Sequence, residues 1–136
     1  MADEPNLAEL IAEFEQALAR RSWEQIRGLF DDHARIESVA AGGAAHGPDD
    51  TVAAMRAAAE TGIYSLGEWK TELISPDAAV VYSRMRHRHV ARGSITDEGL
   101  FWLMTRRGEG FWRVRIFRER DPAISCLDEH GLDLGL

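Results

Sequence analysis

The sequence predicts an α+β domain in which three helices pack on an antiparallel sheet. Two observations support this fold class. Before Gly62, apolar residues recur every three or four positions, which is the period of an amphipathic helix. After Gly62 they alternate with a period of two, as in strands. Helices followed by a run of strands are typical of α+β domains, and one face of such a sheet carries the helices.

The length and composition predict a single folded domain. The chain has 136 residues, of which 45% are hydrophobic, and this is enough for a substantial core. We assign residues 1–124 to the domain and residues 125–136 to a C-terminal tail. The C-terminal end of the chain is partly apolar, so we expect the tail to dock either on the domain or on a partner chain. The apolar residues are Ile124, at the end of the domain, and Leu127, Leu132 and Leu134 in the tail.

The first helix is predicted from a stripe of apolar residues at helical spacing, namely Leu7, Leu10, Ile11, Phe14 and Leu18. Asn6, followed three residues later by Glu9, can cap its first turn. These two features together place the start of the helix close to residue 7.

Two further helices follow. Ser22 with Gln25 three residues on forms a capping-box pattern for the second helix, which we expect to end at Asp32. Pro48 suits the first turn of the third helix, and Gly62 is a typical C-terminal stop.

The strands are predicted from alternating runs bounded by turn residues. The expected strands are Arg35–Val39, Tyr64–Ile74, Ala79–Val90, Leu100–Arg106 and Phe111–Arg118. We interpret Ala40–Gly47 as a loop and the residues from Arg92 to Asp97 as a looser connection between two strands.

The distribution of charge is uneven. The net charge is −7; residues 1–79 hold 15 acids and 6 bases, whereas residues 80–136 hold 8 acids and 10 bases. An acidic chain binds nucleic acid poorly unless its basic residues form one exposed stripe, so we expect no nucleic-acid partner.

The single cysteine, Cys126, rules out an intrachain disulfide and fits a reducing compartment. The N-terminus shows no signal-peptide pattern, and no apolar run is long enough to span a membrane. We therefore expect a cytoplasmic protein with no membrane association.

The order of several motifs resembles the NTF2-like superfamily, and within it the SnoaL-like family of polyketide cyclase and ketosteroid isomerase relatives. The resemblance covers Leu7 to Ile124. The motifs are Phe14-x-x-Ala17-Leu18, Trp23-x-x-Ile26-x-x-Leu29-Phe30-x-Asp32, Gly47-Pro48 and Gly110-Phe111-Trp112-Arg113-Val114. The resemblance implies a cone-shaped fold, in which three N-terminal helices pack on a strongly curved antiparallel sheet and leave a pocket. Homodimers are common among its members, which include isomerases, cyclases, dehydratases, epoxide hydrolases and non-catalytic transport factors.

The catalytic positions implied by the resemblance are not filled by suitable residues. The donor tyrosine of the isomerases falls on Phe14, their carboxylate base on Ser38, and their second acidic donor on or near Trp102. A phenyl ring donates no hydrogen bond, and a serine without a nearby base is a weak proton acceptor, so we do not expect isomerase activity of that type. In the epoxide-hydrolase pattern, Arg84 matches the arginine but one aspartate position falls on Arg86. No acid or base is therefore assigned, and whether the chain is an enzyme stays open.

The segment from Tyr82 to His89 alternates basic and other residues. Strand geometry places Tyr82, Arg84 and Arg86 on one face, and the resemblance implies that this face lines the pocket. Buried guanidinium groups need partners. They can pair with acids of the sheet such as Glu68, Glu72 or Glu119, or receive an anionic ligand; alternatively, a bulge inverts the two faces.

The opposite face of the same segment carries His87 and His89, which could hold a metal ion. No third ligand is evident in the sequence, and we interpret the pair as part of a solvated face or a dimer contact. We accordingly expect no metal and no other cofactor.

These observations give one leading hypothesis. The chain binds a small molecule, with anionic compounds among the candidates, in a pocket near Phe14, Ser38, Tyr82, Arg84, Arg86 and Trp102. If it is an enzyme, metal-free isomerase, lyase or cyclase chemistry is the expected class. The alternative is a non-catalytic module for dimerisation or partner binding. Apolar residues occur on both faces of the last two strands, which predicts a homodimer through the sheet.

Overall fold

The computed structural model describes residues 6–38, 42–89 and 93–130, with backbone only at residues 68 and 126–130. The elements within these ranges are α1 (Leu7–Arg20), α2 (Trp23–Gly28), β1 (Phe30–Ser38), β2 (Gly43–His46), α3 (Gly47–Glu60), β3 (Ile63–Ser75), β4 (Ala78–His89), β5 (Ser94–Arg107), β6 (Gly110–Phe117) and α4 (Arg120–His130). The predicted strand ends at Val39 and Val90, the residues Ala40 and Arg92 of the predicted connections, and Leu132 and Leu134 of the tail lie outside the described residues.

The six strands form one sheet in the order β2-β1-β6-β5-β4-β3. The pairs β3–β4, β4–β5 and β5–β6 are antiparallel, which confirms the predicted arrangement after Gly62. The prediction of a purely antiparallel sheet is wrong at one place, because β1 and β6 run parallel. Most of the chain separates these two strands, so no tight hairpin forces them to be antiparallel. Shifts of register in β3 and β5 add local bends to the sheet.

The helices before β3 differ from the prediction in detail. Three helices precede β3, and the strand predicted from Arg35 corresponds to β1, which begins earlier, at Phe30. The predicted loop Ala40–Gly47 is corrected in part, because Gly43–His46 forms β2, paired antiparallel with β1. Asn6 caps α1 as predicted, since its Oδ1 accepts from the Glu9 backbone N–H at 2.8 Å. Ser22 makes no such bond, and α2 ends at Gly28 after six residues. The residues expected to end that helix instead belong to β1, since the glycine favours an earlier end.

A fourth helix, α4, was not predicted. It packs on the face of the sheet opposite α1 and α3, where Ala123 is fully buried against Val80, Leu103 and Phe117. The tail therefore begins by docking on its own domain, and α4 runs across the boundary drawn at residue 124. The expectation that helices cover only one face of the sheet is wrong, since α4 covers part of the second face.

The core is centred on Phe14 of α1, which is completely buried. Four aromatic rings surround it with centroids 5.4–6.0 Å away, and all four meet it edge to face: Phe30, Trp69, Trp102 and Phe111. Such geometry is favourable beyond the burial of apolar area. This cluster joins α1 to β1, β3, β5 and β6.

We predict that Gly62→Ala destabilises the domain more than Gly42→Ala. Both glycines have positive φ, at 94° and 79°, which costs an alanine about 1–2 kcal/mol. Only at Gly62 would the new Cβ also collide, 2.7 Å from the Arg88 carbonyl oxygen, whereas nothing lies within 4 Å of it at Gly42. The collision should add about 1–3 kcal/mol. Urea unfolding of both variants measures the difference, and equal losses would show that the turn after α3 relaxes freely.

Candidate functional site

A cavity of about 620 Å³ lies between α3 and the sheet. We call the face of the sheet that lines it, carrying Ser83, Met85 and His87 on β4, the inner face, and the opposite one the outer face. The walls are largely apolar and are formed by Ile36, Ala45, Met55, Ala58, Ile63, Met85, Leu100, Trp102 and Ile116. The polar or charged residues of the lining are Ser38, Thr51, His87, His89, Thr96, Glu98 and Arg118. The cavity thus combines an apolar body with a few polar groups, as ligand pockets commonly do.

The pairing of β4 with β5 determines which residues face the cavity. Trp102 lies opposite Val81, and Thr96 lies opposite His87. Since Trp102 packs on Phe14, the cross-strand partners at odd positions of β4 share its face. The inner face therefore continues from the buried core at Val81 outward to the two histidines.

At the core end, the cavity wall is apolar and its one indole donor is already used. Trp102 Nε1 donates to Ser83 Oγ at 2.8 Å, and both side chains are buried. The ring of Phe14 lies behind Trp102, outside the lining itself. Among the described residues, no carboxylate or imidazole lines this end.

The polar groups collect toward the end of β4 and the start of β5. The His87 and His89 rings lie 3.9 Å apart, and His89 Nε2 is 2.9 Å from Thr96 Oγ1. Glu98 forms an ion pair with Arg118, at 2.7 Å between Oε1 and Nε. A ligand in the cavity would meet its polar contacts here.

The sequence suggested that His87 and His89 belong to a solvated face or a dimer contact. The structure places both rings in the cavity lining, where each is half-buried. Within the described residues, no group of three or more histidine, cysteine, aspartate or glutamate side chains is arranged to bind a metal ion. One sequence feature could have predicted this placement. His87 and His89 lie on the same face of the strand as Ser83, a small residue that suits the buried side of a sheet.

The residues predicted for the pocket are split between the two faces. Ser38 and Trp102 lie in the cavity lining. Tyr82, Arg84 and Arg86 lie on the outer face, where Tyr82 packs against the Phe101 ring at 5.0 Å. The predicted alternation is correct, but the inference that the face of Tyr82 lines the pocket is wrong. The cost of burying guanidinium groups without facing carboxylates explains the orientation.

Asp97 is the carboxylate that binds these arginines. Arg86 Nε and one of its terminal nitrogens lie 2.7 and 2.9 Å from the two Asp97 oxygens, and Arg84 lies 3.7 Å away. The hydrogen bonds from Arg86 lower the pKa of Asp97, and the same bonds raise the pKa of Arg86. The sequence suggested Glu68, Glu72 or Glu119 as partners of the arginines, and Asp97 was missed. The residues from Arg92 to Asp97 were interpreted as an irregular connection, so the pairing of Arg86 with Asp97 across the β4–β5 hairpin could not be seen. Arg86 is therefore bound by protein carboxylate on an exposed surface.

No helix in the described ranges has the length and apolar character needed to cross a bilayer.

Two buried hydroxyls are expected to behave in opposite ways when removed. Ser83→Ala leaves Trp102 Nε1 without its acceptor, and we expect a loss of about 1–3 kcal/mol in the free energy of unfolding. Thr51 Oγ1 is buried with no hydrogen-bond partner among the described residues. Thr51→Val keeps the shape and removes this group, so stability should stay unchanged or rise by about 1 kcal/mol. Urea unfolding tests both; losses in both variants would mean that the Thr51 hydroxyl is paired.

Comparison with known proteins gives a likeness of structure. No protein-family model matches the chain, and no curated protein does either. An NTF2-like protein of unknown function from Cytophaga hutchinsonii matches with a TM-score of 0.69 and 10% identity, over 91% of this chain and 99% of that one. A putative SnoaL-like polyketide cyclase from Jannaschia sp. matches with a TM-score of 0.69 and 14% identity, over 87% of this chain and 88% of that one.

A hypothetical protein with a ketosteroid isomerase-like fold from Catenulispora acidiphila, in complex with trimethylamine, matches with a TM-score of 0.69 and 11% identity. The match covers 86% of this chain and 90% of that one. At such identities the shared property is the architecture: the chain has the NTF2-like fold, a cone of helices on a curved sheet, as its sequence motifs indicated.

Proposed function

We propose that this chain binds a small, largely apolar molecule in the cavity, with the polar end of the molecule at the histidines. The observation that carries the proposal is the cavity itself. Its volume of about 620 Å³ lies within the usual range of ligand sites, about 300–1,000 Å³. Its apolar walls supply burial, while His87, His89 and Thr96 supply hydrogen bonds at one end.

The similar structures support a ligand-binding role without naming a ligand. The protein from Catenulispora acidiphila was solved in complex with trimethylamine, and the one from Jannaschia sp. is described as a putative polyketide cyclase. Because a fold by itself fixes no function, these support only the general class. Metal-free isomerase, lyase or cyclase chemistry in the cytoplasm remains our proposed class of activity if the chain is an enzyme.

The proposed ligand is neutral rather than anionic. Arg84 and Arg86, which suggested an anion, lie on the outer face. Among the described residues of the lining, Arg118 is the one arginine or lysine, and its charge is offset by Glu98 at 2.7 Å. A carboxylate in the cavity would therefore meet, among the described side chains, no uncompensated positive charge apart from a protonated imidazole.

A second candidate function is partner binding, including homodimerisation, through the part of the outer face that α4 leaves uncovered. The rings of Tyr82 and Phe101 pack against each other there and are half-buried, and Ile95 is 57% exposed. Such apolar side chains beside arginines suit a protein interface. Partner binding requires no open cavity, so a substitution that fills the cavity should abolish ligand binding and leave partner binding unchanged.

We predict that Ala58→Phe abolishes ligand binding and Ala57→Phe does not. Both residues lie near the end of α3, but only Ala58 lines the cavity, whereas Ala57 is exposed. A phenyl group at position 58 would fill the space. The probes are naphthol, which is neutral, and naphthoate, which carries a carboxylate. Binding is followed by thermal shift and by tryptophan fluorescence, since Trp102 lies in the cavity wall.

The expected result is a naphthol-dependent rise in melting temperature that persists in Ala57→Phe, disappears in Ala58→Phe and exceeds the rise with naphthoate. Stabilisation that is the same in both variants would place the ligand elsewhere. If neither probe stabilises any form of the protein and light scattering gives twice the 15.2 kDa chain mass, partner binding is favoured instead.

A further inference from the structure

We propose that His87 is a general base for flat, apolar carbon acids bound in the cavity, and that His89 positions it. This inference rests on the proposed ligand-binding function and adds a catalytic group to it. His87 lies on the inner face and lines the cavity, half-buried. A group in that position reaches a bound molecule directly.

The ring nitrogens of His87 are available for chemistry. Its ring lies 3.9 Å from the His89 ring between centroids, tilted by 39°, and within the described residues neither nitrogen is hydrogen-bonded. Imidazole is the side chain best suited to accept a proton near neutral pH. An imidazole without a hydrogen bond among the described residues, at the wall of a largely apolar cavity, is placed to accept a proton from a bound molecule.

His89 is oriented from the neighbouring strand. Its Nε2 lies 2.9 Å from Thr96 Oγ1, and Thr96 stands opposite His87 in the register of β4 and β5. Because the two rings are in contact, fixing His89 restricts the rotamers that His87 can adopt. Thr96 thus acts on His87 through His89.

Two other groups of the lining could accept a proton, and each already has a partner. His89 Nε2 lies 2.9 Å from Thr96 Oγ1. Among the described lining residues Glu98 is the one carboxylate, and its Oε1 lies 2.7 Å from Arg118 Nε. Proton acceptance by Glu98 would weaken this ion pair, whereas proton acceptance by His87 breaks no bond within the described chain. The geometry therefore favours His87.

The reaction used as a probe is the ring opening of nitrobenzisoxazole. His87 takes the proton from the ring carbon, the C–H electron pair completes a carbon–nitrogen triple bond, and the nitrogen–oxygen bond breaks to leave a coloured phenolate. The proton is then released from the imidazole to water. No oxidant, reductant or second substrate is needed, and the probe is flat and largely apolar like the proposed ligands.

The experiment measures turnover of this probe by the full chain with saturation kinetics. We expect His87→Gln to lose at least about 100-fold in kcat with KM unchanged, which is the usual contribution of a general base. The exposed His33 provides the matched control, and His33→Gln should turn over the probe like wild type. Free imidazole added to His87→Ala should restore part of the rate, which loss of a structural contact would not permit.

The positioning role of His89 has its own readout. Thr96→Val removes the hydrogen bond and should lower kcat without changing KM, whereas Thr96→Ser keeps the hydroxyl and should restore kcat. Circular dichroism and urea unfolding of each variant distinguish a loss of the fold from a loss of the catalytic group. If His87→Ala does not fold, the kinetics of His87→Gln still test the role of His87.

The outcomes distinguish the two proposals. Saturable binding of the probe with a rate that His87→Gln leaves unchanged would overturn the role of His87 and leave ligand binding intact. Equal kcat in Thr96→Val and Thr96→Ser would overturn the positioning role. If the probe shows no saturation, the role of His87 is overturned, whereas the proposed function is decided separately by the naphthol experiment with Ala58→Phe and Ala57→Phe.

Discussion

The packing of four aromatic rings around Phe14 is the interaction on which the rest of the structure depends. The ring contributes no hydrogen bond, so it joins α1 to the sheet purely through close apolar contact and edge-to-face geometry. Trp102 belongs to this cluster and must point toward α1. By the period of two along strands, the orientation of Trp102 sets that of the rest of β5, and the register with β4 then sets the orientation of the histidines and the arginines.

This dependence explains the chemistry of the cavity. At the position where the resemblance to isomerases implies a donor tyrosine, the chain has a phenylalanine that is completely buried. The indole of Trp102 is hydrogen-bonded to Ser83, so the core end of the cavity keeps no donor for an oxyanion from either ring. Polar groups are displaced to the other end, where His87, His89 and Thr96 meet. The chain thus combines the fold of its structural neighbours with polar side chains at the other end of its cavity.

Much of the fold could be predicted from local patterns, because those patterns have local causes. The cap at Asn6, the stop at Gly62 and the antiparallel strands after it depend on neighbouring residues, and each was found. The parallel pair β1–β6 depends on contacts between distant parts of the chain. These contacts cannot be predicted from a local sequence pattern. The docking of α4 on the sheet through Ala123 also depends on distant contacts and could not be predicted for the same reason.

The candidate site was predicted only in part for a similar reason. Alternation along β4 separated Arg84 and Arg86 from His87 correctly, but alternation alone does not say which set faces the core. That choice depends on Trp102 and on Asp97, both of which lie on another strand. The register of the β4–β5 hairpin pairs Arg86 with Asp97 and so identifies the face of the arginines as the outer one. This register could not be predicted because β5 begins at Ser94, whereas the predicted strand began at Leu100.

The most direct test of this arrangement is a double-mutant cycle between Phe14 and Trp102, measured as free energies of unfolding with Phe14→Leu and Trp102→Leu. Their rings are 6.0 Å apart, so the coupling should be about 0.5–1.5 kcal/mol. The same cycle between Phe14 and Phe101, which faces outward, should give a coupling within about 0.5 kcal/mol of zero. Coupling of Phe14 to Phe101 and not to Trp102 would contradict the orientation of the sheet on which the candidate site depends.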